Sequence, residues 1–281
     1  MRLFYVLFVL IGIMFSTSAC SESFEMRMLD VGMAECIIIR VWDEAMVVDT
    51  AYAKNAKIVR LALEDMGIEE IDYLVLTHPH ADHIGGTVEL LAQTRIKKAL
   101  LPPIEYASET YAKTINALDA CNVERVYPEV GDMFYLGDAQ ITILGPHPVA
   151  YTEENNWSII LMIEYAGRRI LLTGDMEAEA EMDLLLYSDV YPLKADVLKV
   201  AHHGSNTSSV FAFIEAVSPE YALISCDSHE DSSYPHVDTA LTLVDCGVEM
   251  IWTTEVHGNI SVLIDSLGRM DVYSDYSPLK E

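Results

Sequence analysis

Residues 76–86 read Leu-Thr-His-Pro-His-Ala-Asp-His-Ile-Gly-Gly, and they constrain this chain more than any other stretch. Four potential metal ligands, His78, His80, Asp82 and His83, fall within six positions. Ile71–Leu76 ahead of them reads as a short buried strand and Ile84–Ala92 behind them as a helix, so the ligands occupy a strand-to-helix loop. On an extended loop His78 and His80 point to one side, while Asp82 and His83 at the helix entry reach a second point nearby. That spacing favours two ions over one. Imidazole nitrogen and carboxylate oxygen suit Zn²⁺ first, with manganese or iron as less selective alternatives. Singly, Asp82 reads as an N-cap and His78 as a surface histidine; only together do they make a site.

Around this loop the periodicity predicts an α/β chain. Phe24–Leu29, Cys36–Val41 and Ala45–Val48 have strand character, and Ile58–Met66 has helical spacing stopped by Gly67. Lys98–Leu101 then reads as a strand, Glu109–Leu118 as a helix and Val123–Leu144 as β-rich, up to a break at Pro146-His147-Pro148. The pattern restarts with strands Ser158–Tyr165 and Arg169–Leu172 and a helix near Glu177–Leu186. Strand Val197–Val200, helix Ser209–Val217, strand Tyr221–Ser225 and helix Val237–Cys246 follow. Two such runs imply two mixed sheets packed face to face with helices outside, an αββα sandwich.

The chain has 281 residues, 51% of them apolar, enough for one large domain over residues 20–281. Residues 1–19 read as an export signal: Arg2, the apolar run Leu3–Phe15, then Ser16-Thr17-Ser18-Ala19 before Cys20. That run is too short for a membrane span, which needs roughly 20 residues. Ser18-Ala19-Cys20 also resembles a lipoprotein signal with Cys20 as the lipid anchor, although Thr17 departs from it. The expected location is therefore extracellular, free or membrane-anchored as a lipoprotein. Five cysteines, at 20, 36, 121, 226 and 246, include no C-x-x-C pair, and those not lipidated are expected as buried free thiols. The formal net charge of −27 disfavours long nucleic-acid tracking unless bound cations reverse the field locally.

The His-x-His-x-Asp-His loop resembles the hallmark of the metallo-β-lactamase superfamily. Further residues resemble one branch, the soluble domain of the ComEC competence-channel family. These are Asp30-Val31-Gly32, Val48-Asp49-Thr50, Asn155-Asn156-Trp157-Ser158, Leu172-Thr173-Gly174-Asp175, Leu198-Lys199-Val200-Ala201-His202-His203-Gly204-Ser205, Tyr234-Pro235-His236, and Thr254 with Gly258-Asn259-Ile260. They run in the family's order over residues 24–265, without the membrane-channel portion.

The resemblance implies that His78 and His80 hold one divalent ion, that Asp82 and His83 hold the other, and that Asp175 bridges them. It supplies one further ligand from His202 or His203, and the sequence leaves open which; adjacent side chains on an extended backbone diverge. His236 is expected as a ligand, a supporting residue or, with Asp82, a catalytic proton carrier. Asp49 is expected to accept the other N–H of a ligand histidine. Asn156 and Ser158 stand where many superfamily hydrolases place another histidine. Gly204 and Ser205 offer donors to an anionic oxygen or else form a plain turn. Lys199 is read as a substrate-side or supporting residue, or else as an exposed strand residue. Met33-Ala34-Glu35 departs from the branch's usual Gln-Gly-Asp.

Two adjacent cations lower the pKa of a shared water and clamp an oxygen on which charge develops. The expected function is phosphodiester hydrolysis on a small or short substrate, a cell-wall phosphodiester or extracellular DNA, with no obligate protein partner. The alternatives are hydrolysis of a lactam, lactone or thioester, and a metal-stabilised binding module without turnover. No Gly-x-Ser-x-Gly elbow supports a serine nucleophile.

Overall fold

A computed structural model of the chain describes residues 24–229 and 233–276; the expected export signal and Cys20 lie outside them. The first sheet begins with antiparallel β1 (Phe24–Met28), β2 (Ile37–Val41) and β3 (Glu44–Val48). Helix α1 (Ala56–Asp65) then leads to β4 (Glu70–Val75), parallel to β3. The metal loop carries α2 (Ala81–Ile84) and α3 (Thr87–Leu91), followed by β5 (Arg95–Leu100), α4 (Glu109–Ala120) and β6 (Glu124–Val126).

In the second sheet β7 (Met133–Leu136), β8 (Ala139–Gly145), β9 (Ile160–Tyr165) and β10 (Arg168–Leu172) form an antiparallel meander. Helix α5 (Ala178–Leu186), β11 (Val197–Lys199), α6 (Phe211–Val217), β12 (Tyr221–Ile224), α7 (Val237–Asp245) and β13 (Met250–Thr253) extend it with parallel strands. After α8 (Thr254–His257), β14 (Ile260–Ile264) and β15 (Met270–Ser274) return to the first sheet, where β14 pairs with β1. The sheet orders are β15-β14-β1-β2-β3-β4-β5-β6 and β13-β12-β11-β10-β9-β8-β7. The two mixed sheets with outer helices are the αββα sandwich that the sequence pattern predicts.

The apolar runs follow from burial on both strand faces. Ile37 and Ile39 of β2 enter the core between the sheets with Leu161, Ile163 and Leu172. Ile38 faces the other way, under Val59 and Leu63 of α1 and Leu118 of α4. Beneath the outer helices of the second sheet, Leu184, Phe213, Ile214 and Leu243 form the matching layer.

Two expectations are corrected. The helix predicted over Ile84–Ala92 is two helices broken at Gly85-Gly86. Gly86 N donates to Ala51 O at 2.9 Å, and a Cβ on Gly86 would lie 2.3 Å from Thr50 O, so close backbone docking interrupts the helix. The cysteines of the described residues are free, but only Cys36 and Cys226 are buried; Cys121 is exposed and Cys246 intermediate. Among the described residues no helix is long and apolar enough to cross a membrane.

Candidate metal centre

Strands β3, β4, β10, β11 and β12 deliver their C-terminal ends to one rim of the sandwich, followed respectively by Asp49, His78, Asp175, His203 and Ser225. Chain ends from both sheets thus converge there. The metal loop is stitched across the sandwich where Ile159 N donates to Thr77 O at 2.9 Å.

Asp82, His83, Asp175 and His203 each turn one donor atom into a cluster spanning no more than 4.8 Å. His83 Nε2 lies 3.2 Å from Asp175 Oδ2 and 3.7 Å from Asp82 Oδ2, and His203 Nε2 lies 3.5 Å from each of the same oxygens. Ligand atoms about 2.0–2.2 Å from a tetrahedral ion stand about 3.3–3.6 Å apart, so these edges fit one ion's donor set. Beside it, His78 Nε2 is 3.1 Å from His80 Nδ1 and 3.9 Å from Asp175 Oδ2. Asp175 is therefore common to both groups.

The ring nitrogens facing away fix the tautomers. His83 Nδ1 is 2.6 Å from Asp49 Oδ2 and His203 Nδ1 is 2.7 Å from Ser225 O, so each donates outward and turns Nε2 inward. Thr77 N and Oγ1 donate to the two oxygens of Asp49, and Thr77 Oγ1 stands 3.2 Å from His78 Nδ1. His83 Nε2, His203 Nε2 and Asp175 Oδ1 are buried yet make no hydrogen bond. Buried polar atoms left this way are costly unless a ligand satisfies them.

Electrostatics agrees with that fit. Burial opposes charge on His83, but Asp175, Asp49 and Asp82 outweigh it and hold its pKa well above the usual imidazole range. Burial likewise opposes charge on Asp175, yet His83 and His203 hold its carboxyl well below the usual range. Burial and the neighbouring His83 push His78 well down. The carboxylates thus demand positive charge in the pocket, which divalent cations on these donors would meet.

The Ala201–Ser205 turn separates the paired histidines. His202 (φ 49°) and His203 (φ 53°) both adopt left-handed backbone, a strained choice for non-glycine residues. His203 points inward; His202 Nδ1 points to Thr207 Oγ1 at 3.0 Å and Glu177 Oε1 at 3.3 Å, outside the donor cluster. Gly174 (φ 52°) lets the chain pass Ser158 and Thr77, because a Cβ there would lie 2.9 Å from Ser158 Oγ.

Other expected site residues serve differently. Lys199, for which a solvent-exposed strand position was one reading, is fully buried, its Nζ 2.5 Å from Glu35 Oε2 and donating to Val200 O at 2.8 Å. That correction comes from the facing sheet, which brings Glu35 to it. Burial raises the Glu35 pKa and Lys199 offsets this only in part. Gly204 and Ser205 form the plain turn: their N–H groups donate to Ala201 O and His202 O, which takes them away from any anion. Asn156 accepts from Glu177 N and donates to Glu179, organising the entry of α5. Ser158 Oγ accepts from Asp175 N at 3.1 Å. His236 stands beside the turn, its N donating to Gly204 O and its Nδ1 buried without a partner.

Sequence reasoning passed over Thr77, Ser225 and the pairing role of Glu35. Thr77 sits inside the loop and was open to notice; Ser225 O and Glu35 are linked to the site only through space.

The model of the metallo-β-lactamase superfamily matches residues 29–229. The chain belongs to that superfamily. It is 33% identical over 230 residues to ComE operon protein 3 of Bacillus subtilis, covering 80% of this chain and 29% of that protein. It is 28% identical to competence protein ComA of Neisseria gonorrhoeae over 75% of this chain and 28% of that protein. The chain thus spans under a third of the length of these relatives. Among solved structures, CmlA, a diiron β-hydroxylase from Streptomyces venezuelae, superposes with TM-score 0.59 at 14% identity, over 86% of this chain and 54% of that one. The metallo-β-lactamase fold protein YhfI of Bacillus subtilis gives TM-score 0.51 at 13% identity, over 88% and 99% respectively. At such identities these two structures speak for the shared fold alone.

Proposed function

We propose that this protein is a metal-dependent phosphodiesterase acting on small or short substrates, with extracellular DNA and cell-wall phosphodiesters as the candidate classes. The observation carrying this reading is the Asp82, His83, Asp175 and His203 donor set beside the His78–His80 pair, with Asp175 common to both. Relatives named for competence favour a nucleic-acid phosphodiester over a lactam.

Two divalent cations held by these residues, zinc first and manganese second, would supply a Lewis acid and lower the pKa of a water between them. Asp49, Thr77 and Ser225 keep the histidines in the tautomers that present Nε2. Asp175 is held at the strand end by Ser158, so its carboxylate serves both positions. His236, beside the turn that carries His203, and Asp82 are the candidates to carry a proton. Export by residues 1–19, and lipid attachment at Cys20 or free secretion, complete the proposal for where the protein works.

The test is initial-rate hydrolysis of bis(p-nitrophenyl) phosphate by purified protein loaded with zinc or manganese, beside His80→Ala. Metal-dependent turnover lost in the variant supports the reading. Full metal occupancy without phosphodiester turnover overturns it and moves attention to lactam, lactone and thioester substrates or to a binding role.

A further inference from the structure

Next to the histidine pair the surface opens into a cleft of about 720 Å³, bounded by residues 103–107, one side of α4 and the end of β6. Ligand-sized sites fall in this range. Three phenol rings line it, Tyr106, Tyr111 and Tyr127, with Ile104 and Ile115 among them and Arg125 also lining it.

The cleft adjoins the candidate metal centre at two points. The Tyr106 ring stands edge-on to His80, with centroids 5.6 Å apart. Tyr111 also borders a small gap shared with His78 and Pro79. Tyr111 Oη donates to Ile104 O at 3.0 Å, which ties α4 to the 103–107 segment and fixes one wall. Tyr127 is 48% exposed, so its side chain is reachable from the cleft. Arg125, paired with Asp119 at 3.1 Å, and Glu105 also line the cleft, so its rings rather than its charge mark it.

We propose that this cleft is a subsite for a planar aromatic group, a nucleobase in the case of a nucleotide substrate, attached to one side of the phosphodiester at the metal centre. This rests on the phosphodiesterase reading and adds the position of the group beside the scissile bond. Tyr106 and Tyr127 stack the ring. Every base has a π-face, so rings select base-bearing from base-free substrates without preferring one base. A subsite of this kind also gives a strongly acidic protein an attachment to nucleotides that does not depend on a long basic track.

The test compares steady-state hydrolysis of thymidylyl-thymidine and its base-free dinucleotide analogue by the full-length, metal-loaded protein. Wild type, Tyr106→Ala, Tyr127→Ala and the two corresponding Phe variants are measured, with fluorescence anisotropy of fluorescein-labelled thymidylyl-thymidine alongside. The expected result is a KM about ten-fold lower for the base-bearing substrate in wild type. Each Ala variant loses most of that preference and each Phe variant keeps it, with anisotropy affinities following. Equal KM values in wild type, or a preference that survives both Ala variants, overturns the subsite. If wild type turns over neither substrate, the phosphodiesterase reading fails and anisotropy alone decides. Binding weakened by Ala but not by Phe then keeps the cleft as an aromatic-ring site; absent or Ala-insensitive binding removes it.

Discussion

Asp82, His83, Asp175 and His203 come from three separate segments, and each histidine among them is held from behind by a carboxylate or a backbone carbonyl. His78 and His80 instead come from one tripeptide. Thr77 stands behind His78, while His80 is half-buried against Tyr106 at the mouth of the cleft. The contrast shows how one loop can serve two positions of unequal rigidity. The deep position is preorganised by tertiary structure, and the outer one lies against the Tyr106 ring. Metal titration followed by calorimetry should therefore resolve two affinities, the tighter lost with His203→Ala and the weaker with His80→Ala.

The largest effect should come from Asp175→Ala, which removes the carboxylate common to both positions. Initial rates on an aryl phosphodiester should fall by about 10³-fold or more, with metal content measured by atomic emission. Retained turnover would sink the idea of a shared carboxylate. Lys199→Met leaves the Glu35 carboxyl buried and unpaired behind Asp82, whose carbonyl accepts from Glu35 N. Urea denaturation should show a loss of about 3–5 kcal/mol, largely recovered in Lys199→Met with Glu35→Leu. A small loss in the single variant would mean that the pair does not brace the deep position.

The segment beyond His203 is tested through Glu181, which accepts from Ser209 N and Val210 N. Burial raises the Glu181 pKa to about 7 against an ordinary value of 4.5. The folded state therefore holds this proton more tightly than the unfolded one. Its contribution is complete below about pH 4.5 and is lost as pH rises through about 7, on the order of 3 kcal/mol in all. Glu181→Gln should remove that part of the pH slope in urea midpoints; an unchanged slope would exclude Glu181 as its source. The smallest effect expected is with Asp49→Ala, which frees His83 Nδ1. Chelator competition should show the tighter affinity weakened by roughly 10–100-fold and the weaker one little changed, and equal losses at both would erase the distinction between the positions.

Much of this was legible locally. The strand before the metal loop and the helix beginning at Glu109 fell close to where periodicity places them, because their apolar residues meet a core at strand or helix spacing. Strands β13, β14 and β15 were not picked out, although Ile260–Ile264 is nearly all apolar. The place of β14, and of β15 beside it, depends on an edge offered by β1, more than 230 residues earlier in the chain, while β13 adds to β12 in the other sheet. The helix break at Gly86 was missed for a related reason: it answers to the backbone of Thr50, in another segment.

The sequence by itself determined the donor chemistry, since His78, His80, Asp82 and His83 lie so close along the chain that any strand-to-helix fold keeps them together. It also determined the alternation of sheet and helix, because hydrophobic spacing follows the geometry of each element. Tertiary structure decided that His203 turns inward while His202 meets Thr207 and Glu177, and that Lys199 meets Glu35 across the two sheets. Those outcomes rest on partners far away along the chain, and spacing along one strand carries no information about what packs opposite it.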